Sequence, residues 1–472
     1  MPRIILTLLC ICMLSVMISS NELPWATSYD LGVQLFPSDE RLQAVCTATL
    51  ANSSDQPLGS VPVLLYRLLE VTDVRDQSGQ PIRYEQRITC MADNQAFQVN
   101  ALLITLPHPL AARDSLKLQI TYRGYIYGYP EIMQYTKDRV SEDYTLIRND
   151  VFAYPIFSDT SRASLLQTFG RDYSYTASVK VPRGYTVASG GALAGVDTTG
   201  DSVTYVYRSK VPVSRIDIAA ARFGLLSDSA SRLSAFYLPG DSAGARHIMQ
   251  AMRAVIPYYT ERFGPAPGYA GFTVIEIPDG WGSQAGTFYI LQTAAAFKDS
   301  TRISEVYHEV GHSWNAKIDP SVQRCRYFDE AFASYFEAIS LGHFKGDSAF
   351  IADMESSRRW FIRSTEKDSL GRITPIAQYG DHEIGGYSYT KGAWSLYVLN
   401  RLIGEDAFNK LIQAMLTEFT DKPIEFQSFK SLAESVSNRK LDKFFDEWIF
   451  GTLSTKLLLD NAPIDSIVQR YR

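Results

Sequence analysis

The sequence predicts an α+β multidomain chain: an amino-terminal all-β domain of sandwich or saddle type, followed by an α-rich domain that carries a metal site. Three observations lead there. Up to about residue 225, apolar and polar residues alternate, which is the period of a strand with one buried face. Beyond that point apolar residues recur every three to four positions, the period of a buried helical stripe. Within this second region lies His308-Glu309-Val310-Gly311-His312, a compact set of metal-binding and proton-accepting side chains.

The 472 residues leave room for two or three domains with their own cores. With 46% hydrophobic and 21% charged residues, the composition is that of a globular protein and excludes both disorder and a membrane bundle. A formal net charge of −5 gives no electrostatic footprint for nucleic acid, so no such partner is expected.

Residues 1–20 stand apart. Arg3 precedes a fifteen-residue apolar run from Ile4 to Ile18, and small residues Ser19-Ser20 follow. This layout predicts a secretory signal peptide and export to the periplasm or the exterior, with an uncleaved amino-terminal membrane anchor as the alternative. The run is short for a bilayer span of about 20 residues, and no later stretch is apolar enough to insert. Cys10 and Cys12 would leave with the leader. Cys46 and Cys90 both lie in strand-like sequence, where pairing and free buried thiols are both open, and Cys325 is left over.

The β domain is expected over residues 21–230. Leu116, Leu118, Ile120 and Tyr122 alternate with Lys117, Gln119, Thr121 and Arg123; Tyr173 to Val181 repeats the pattern before Pro182-Arg183-Gly184 ends it. Asp197-Thr198-Thr199-Gly200-Asp201 supplies turn chemistry ahead of the next alternating run, Val203, Tyr205 and Tyr207. The tyrosines between Tyr122 and Tyr154 read as strand-favouring, amphipathically buried residues, the other reading being a peptide-binding surface.

The second domain is expected over residues 231–455, with a tail at 456–472. His247 to Phe263 predicts a helix stopped by Gly264-Pro265, and Phe272 to Ile277 a strand. Gly392 to Leu402 and Ala407 to Glu418 predict helices separated at Gly404. Leu441, Phe444, Phe445 and Trp448 form one apolar helical face stopped by Gly451.

In the five-residue motif the two histidines are four apart, so a helix presents both imidazoles on one face to one metal ion. Ile303, Val306 and Val310 supply the apolar stripe that the helix needs. Seventeen residues separate His312 from Glu330, which opens a second helical segment and offers a third ligand. Two imidazoles and a carboxylate suit one zinc ion per chain and leave a fourth position open, as a catalytic site requires. Glu309, one step round the helix, is placed to act as general base.

With these residues in hand, the chain resembles the M1 family of zinc aminopeptidases, within the wider gluzincin group. The resemblance rests on His308-Glu-Val-Gly-His312-Ser-Trp314 with Asp329-Glu330-Ala-Phe-Ala-Ser-Tyr335, on Tyr389-Thr-Lys391-Gly392-Ala393, on the β-rich stretch through Tyr154-Pro155 and Val181-Pro182, and on the closing Phe444-Phe445-Asp-Glu-Trp448. It implies a thermolysin-like catalytic domain, peptide substrates, and Tyr389 as the catalytic tyrosine that stabilises the oxyanion. His312-Ser-Trp314-Asn315-Ala-Lys317-Ile-Asp-Pro320 is also similar to the M61 glycyl aminopeptidases of the same group.

This chain departs from the family pattern at three points. The gap between His312 and Glu330 is one residue shorter than usual, which a deletion in the connecting loop accommodates. The chain stops soon after the catalytic domain, which implies a short form without the family's carboxy-terminal helical domain and with a more open cleft. Where the family carries a glutamate for the substrate's free amine, the sequence reads Gly280-Trp281-Gly282-Ser283-Gln284-Ala285-Gly286. Gly282, Gln284 and Gly286 are then the substrate-binding candidates, with the Gln284 amide able to accept a hydrogen bond from an ammonium but supplying no charge. His382 is a further candidate oxyanion donor. The expected function is a zinc metallopeptidase, first an aminopeptidase; the alternatives are an endopeptidase with an open cleft and a non-catalytic zinc-containing peptide-binding protein.

Overall fold

A computed structural model describes residues 23–420 and 422–472; the leader expected at 1–20, with Cys10 and Cys12, lies outside the described residues. The amino-terminal part is built on a seven-stranded sheet with spatial order Ala192–Thr199, Ser202–Arg208, Ser174–Pro182, Trp25–Phe36, Arg41–Ala51, Ser115–Tyr125 and Leu69–Asp76. A three-stranded sheet, Leu58–Tyr66, Asn94–Leu110 and Tyr84–Met91, packs across it. Leu31, Cys46 and Ile120 from the first sheet and Val61, Val63 and Ile104 from the second share one core, as a sandwich requires. The alternation read from sequence is the cause: Leu118, Ile120 and Tyr122 are buried while Lys117 and Arg123 on the same strand face water.

The tyrosines divide as burial chemistry demands. Tyr122, Tyr129 and Tyr144 are buried with their hydroxyls donating to the carbonyls of Ala153, Gln98 and Glu276. Tyr135 is half exposed and lines the cleft described below. Cys46, Cys90 and Cys325 are all free thiols, so Cys46 and Cys90 do not pair.

The second part begins with a five-stranded mixed sheet: Gly224–Asp228, Leu233–Tyr237, Phe272–Ile277, Tyr289–Thr293 and, at the edge, Gln284–Gly286. The first two strands form a hairpin across residue 230, so the change of sheet falls near residue 223 instead of at the expected boundary. Helix α1 (Ser242–Phe263) buries Ile248, Met252, Val255 and Tyr259, and Gly264 ends it at φ 80°, a backbone conformation that favours glycine. There follow α2 (Ile303–Gly311), α3 (Phe332–Lys345), α4 (Asp347–Lys367), α5 (Lys391–Ile403), α6 (Glu405–Glu418), α7 (Phe426–Ser437) and α8 (Asp442–Trp448). Phe444, Phe445 and Trp448 are buried on one face of α8.

The stretch 456–472, expected as a tail, carries most of α9 (Leu453–Leu459) and all of α10 (Ile464–Gln469) and buries Leu458, Ile467 and Val468 in the same core. Thr455 of α9 accepts a hydrogen bond from the buried Lys391 ammonium at 3.0 Å, which ties this end of the chain to the start of α5. Among the described residues no helix is long and apolar enough to cross a membrane.

Candidate active site

Helix α2 is held by Ile303, Val306 and Val310, all buried, and this fixes which face carries His308 and Glu309. His312 falls one residue beyond α2, in a 3₁₀ turn His312–Trp314, but its φ of −57° and ψ of −21° continue the helical path. Both imidazoles therefore share a face, with ring centroids 5.0 Å apart. Trp314 pins the turn by donating its indole N–H to the Gly264 carbonyl at 2.8 Å. Glu330 lies in a π-helical turn, Tyr327–Ala331, that leads into α3. Such turns are uncommon and recur at functional sites.

The three predicted ligands converge. One donor atom each from His308, His312 and Glu330 lies within 4.8 Å of the others. His308 Nε2 stands 3.0 Å and His312 Nε2 3.6 Å from the same Glu330 oxygen. The outer nitrogens are engaged too: His312 Nδ1 contacts Asp329 at 2.7 Å, and His308 Nδ1 contacts Glu337 at 3.3 Å. Each carboxylate holds an N–H at Nδ1 and so leaves Nε2 as the lone-pair donor toward the metal, the arrangement found behind zinc-ligating histidines. Burial disfavours charge on both imidazoles, yet the surrounding carboxylates outweigh it and raise both above the ordinary histidine value. Glu330, Asp329, Glu337 and Glu309 thus crowd two histidines and Arg326, an excess of negative charge that a divalent cation neutralises. The donor set fits zinc.

Glu309 is buried and has neither a hydrogen-bond nor an ion-pair partner among the described residues; burial raises its pKa. Tyr389 ends a 3₁₀ segment, Gly385–Tyr389, just before α5, and its ring lies parallel to that of His308 at 5.8 Å. Partial burial and the Glu330 carboxylate push its phenol well above the usual tyrosine range. His382 is exposed and lines neither the cleft nor the cavity beside it.

A cleft of about 870 Å³ runs past these groups, lined by Gly282, Gln284 and Gly286 on the edge strand side and by Arg326, Lys317 and Phe419 opposite. Gly282 has φ 73°, and a Cβ on Gly286 would meet the Tyr289 ring at 2.1 Å, so both positions require glycine. Gln284 departs from its expected role. Its carbonyl oxygen already accepts from Arg148 at 2.9 Å and from Arg215 at 2.8 Å, which fills both lone pairs. Only its NH₂ group remains to offer a substrate, and that makes one long contact of 3.5 Å to Asp150. The amide cannot accept from a substrate ammonium in this arrangement.

Comparison with known proteins agrees with this geometry. Residues 287–448 match the Peptidase family M1 domain. Over 458 residues the chain is 22% identical to the glutamyl aminopeptidase of Rattus norvegicus, covering 89% of this chain and 46% of that protein. It is 23% identical over 301 residues to leucine aminopeptidase 2 of Coccidioides immitis, covering 57% and 46% respectively. The chain thus spans about half the length of these relatives. An M1 zinc metallopeptidase of Deinococcus radiodurans, solved with a Tyr-Ser-Ala substrate, superposes with a TM-score of 0.66 at 17% identity, covering 90% of this chain and 94% of that one. Yeast LTA4 hydrolase gives a TM-score of 0.70 at 15% identity, covering 93% and 70%. Both share the fold, a β-rich part followed by a helical catalytic part.

Several residues at the site escaped sequence reasoning. Glu337 sits two helical turns after Glu330, a spacing that places it on the same face of α3 and offers a usable signal. Asp329 stood beside a predicted ligand but carried no sign of its own. Arg326, with φ 55°, pairs with Asp329 at 3.2 Å and with Glu330, and no pattern announced it. Arg148 and Arg215 reach Gln284 from more than sixty positions away.

Proposed function

We propose that this chain is a zinc-dependent peptide hydrolase, in first reading an aminopeptidase, with Glu309 as general base and Tyr389 as oxyanion donor. The observation that carries this is the convergence of His308, His312 and Glu330 beside an unpartnered, buried Glu309. When bound, one zinc ion held by these three residues supplies Lewis acidity, which acidifies water and polarises a carbonyl.

The residues do the rest. Glu309 accepts the proton of the attacking water and returns it to the leaving amine, and its raised pKa brings it nearer to the pH of operation. Tyr389 is protonated at neutral pH, as any phenol whose pKa is not lowered is, and can donate a hydrogen bond to the oxygen that becomes negative in the tetrahedral species. The edge strand Gln284–Gly286 has a free side on which an extended peptide can add as a further strand, fixing the scissile bond over the site. A structural zinc protein or a peptide-binding protein has no need of Glu309 or Tyr389.

The aminopeptidase reading draws on the names of the relatives. The filled acceptor of Gln284 favours a second reading, an endopeptidase that does not depend on a free amine. One fluorogenic peptide with a free amino terminus, assayed beside its acetylated twin with added zinc, separates them. Cleavage of the free form alone supports the exopeptidase, cleavage of both the endopeptidase, and cleavage of neither sinks the proposal. Export through residues 1–20 belongs to the same proposal, and the amino-terminal sequence of the secreted protein tests it.

A further inference from the structure

A second cavity, about 480 Å³, shares Ser283, His308, Glu309 and Tyr389 with the cleft and runs from them between α2, α3 and α4. We propose that this cavity is a specificity pocket for a cationic side chain, lysine or arginine, on a residue flanking the scissile bond. The inference rests on the peptidase reading above and names the substrate class of that same site.

Three helices give the cavity its charge. Helix α2 presents Glu305 and, one turn on, Glu309; α3 presents Ser334 and Glu337. Helix α4 presents Asp353, Ser356, Ser357 and Trp360, whose spacing of three, four and seven defines one face. The adjoining face of α4, about 100° round the helix, buries Met354, Arg358 and Phe361 and so fixes the direction of this polar stripe. Four carboxylates line the walls and no lysine or arginine does.

These charges are poorly compensated. Glu305 is paired with Arg302 at 2.6 Å, but that guanidinium does not line the cavity. Glu337 contacts only His308, and Asp353 has no hydrogen-bond or ion-pair partner among the described residues. Glu309, 9% exposed, opens onto the same space with its carboxylate unpartnered. Burial first, and then Glu337 facing it, pushes the Asp353 carboxyl up to about 7.

The other side of the site is different. The cleft lining is mixed, with Arg148, Arg215, Lys317 and Arg326 matched by Asp172, Glu309, Asp329 and Glu330, whereas the charged residues lining the cavity, His308 aside, are all acidic. Trp360 adds an independent feature. It is 47% exposed and lines the cavity, leaving its indole free to cover an aliphatic stem and face a cation. A buried apolar pocket would suit leucine or phenylalanine; four carboxylates, two serines of α4 and an open indole suit an ammonium or a guanidinium.

The test uses the zinc-loaded full chain and alanine-based peptides with lysine, norleucine or glutamate at each of the two positions flanking the scissile bond. Lysine should exceed norleucine in kcat/KM by about tenfold at one position, with glutamate lowest. The preference should shrink as salt rises, which needs no variant. Asp353→Asn and, separately, Trp360→Ala should bring the lysine-to-norleucine ratio toward one, while Asp353→Glu should retain most of it. Equal kcat/KM for lysine and norleucine at both positions would overturn the proposal. So would a ratio unchanged in both variants, or a second zinc per chain that Asp353→Asn removes. Failure to cleave any peptide, alanine-only controls included, would overturn the peptidase reading and this inference with it; cleavage without charge preference overturns this inference alone.

Discussion

Asp329→Ala should weaken zinc binding without touching a ligand. Asp329 stands 2.7 Å from His312 Nδ1 and also accepts from Asn315 at 3.1 Å. Without it, only the Asn315 amide at 3.2 Å remains beside Nδ1, and nothing holds the tautomer that frees Nε2. Arg326, relieved of Asp329, is left to pair with Glu330 alone and to compete for that carboxylate. Loss of such an outer-shell carboxylate typically lowers metal affinity 10- to 100-fold, or about 1.4–2.8 kcal/mol. Asp329→Asn keeps an acceptor but no charge and should fall between wild type and Ala. Glu337→Gln, at a longer 3.3 Å from His308, should have the smaller effect. Titration against a chelating dye gives the three dissociation constants. A constant for Asp329→Ala within about twofold of wild type, or a larger loss for Glu337→Gln, would refute the reasoning.

Further predictions are as specific. Tyr389→Phe should lower kcat about 100-fold or more, near 3 kcal/mol, with KM little changed, since the donor acts on charge that forms only in the transition state; steady-state kinetics checks this. Glu276 is fully buried on the central strand Phe272–Ile277, with one carboxylate oxygen accepting from the Leu238 N–H at 2.6 Å and the other unsatisfied. Burial first, then the nearby Asp241, pushes its pKa up to about 8. The folded state therefore holds this proton after the unfolded state has released it, and stability is lost as pH rises from about 4.5 to 8. Glu276→Gln should remove that loss, raising the melting temperature at pH 8 far more than at pH 5; equal shifts at both pH values would contradict it. Gly392→Ala places a Cβ 2.7 Å from that of Ala331, the neighbour of Glu330, and should lower both thermal stability and zinc affinity.

Much of the architecture could be read from the chain because its causes are local. Alternation over Leu116–Tyr122 buries one face of a strand, and the stripe through Val306 and Val310 fixes the face of α2 on which His308 stands. Glycines at 264 and 404, both with positive φ, end helices where the sequence placed the stops. What escaped reading depends on side chains brought together by packing. The pairing of Gly224–Asp228 with Leu233–Tyr237 is a hairpin that looks like a linker when only turn residues are counted. The burial of 456–472 depends on Leu458, Ile467 and Val468 finding the same core as α5, and short apolar helices carry little periodic signal. Gln284 lines the cleft, but what its amide can bind turns on Arg148 and Arg215, whose reach no local pattern encodes.

The most direct measurement is peptide hydrolysis by metal-free wild type and by Glu309→Ala during stepwise addition of zinc, with bound metal quantified at each step. The account predicts that wild-type hydrolysis rises to a plateau at one zinc per chain, while Glu309→Ala takes up the same single ion and hydrolyses nothing. Hydrolysis by the metal-free protein, or full activity in zinc-loaded Glu309→Ala, would contradict it.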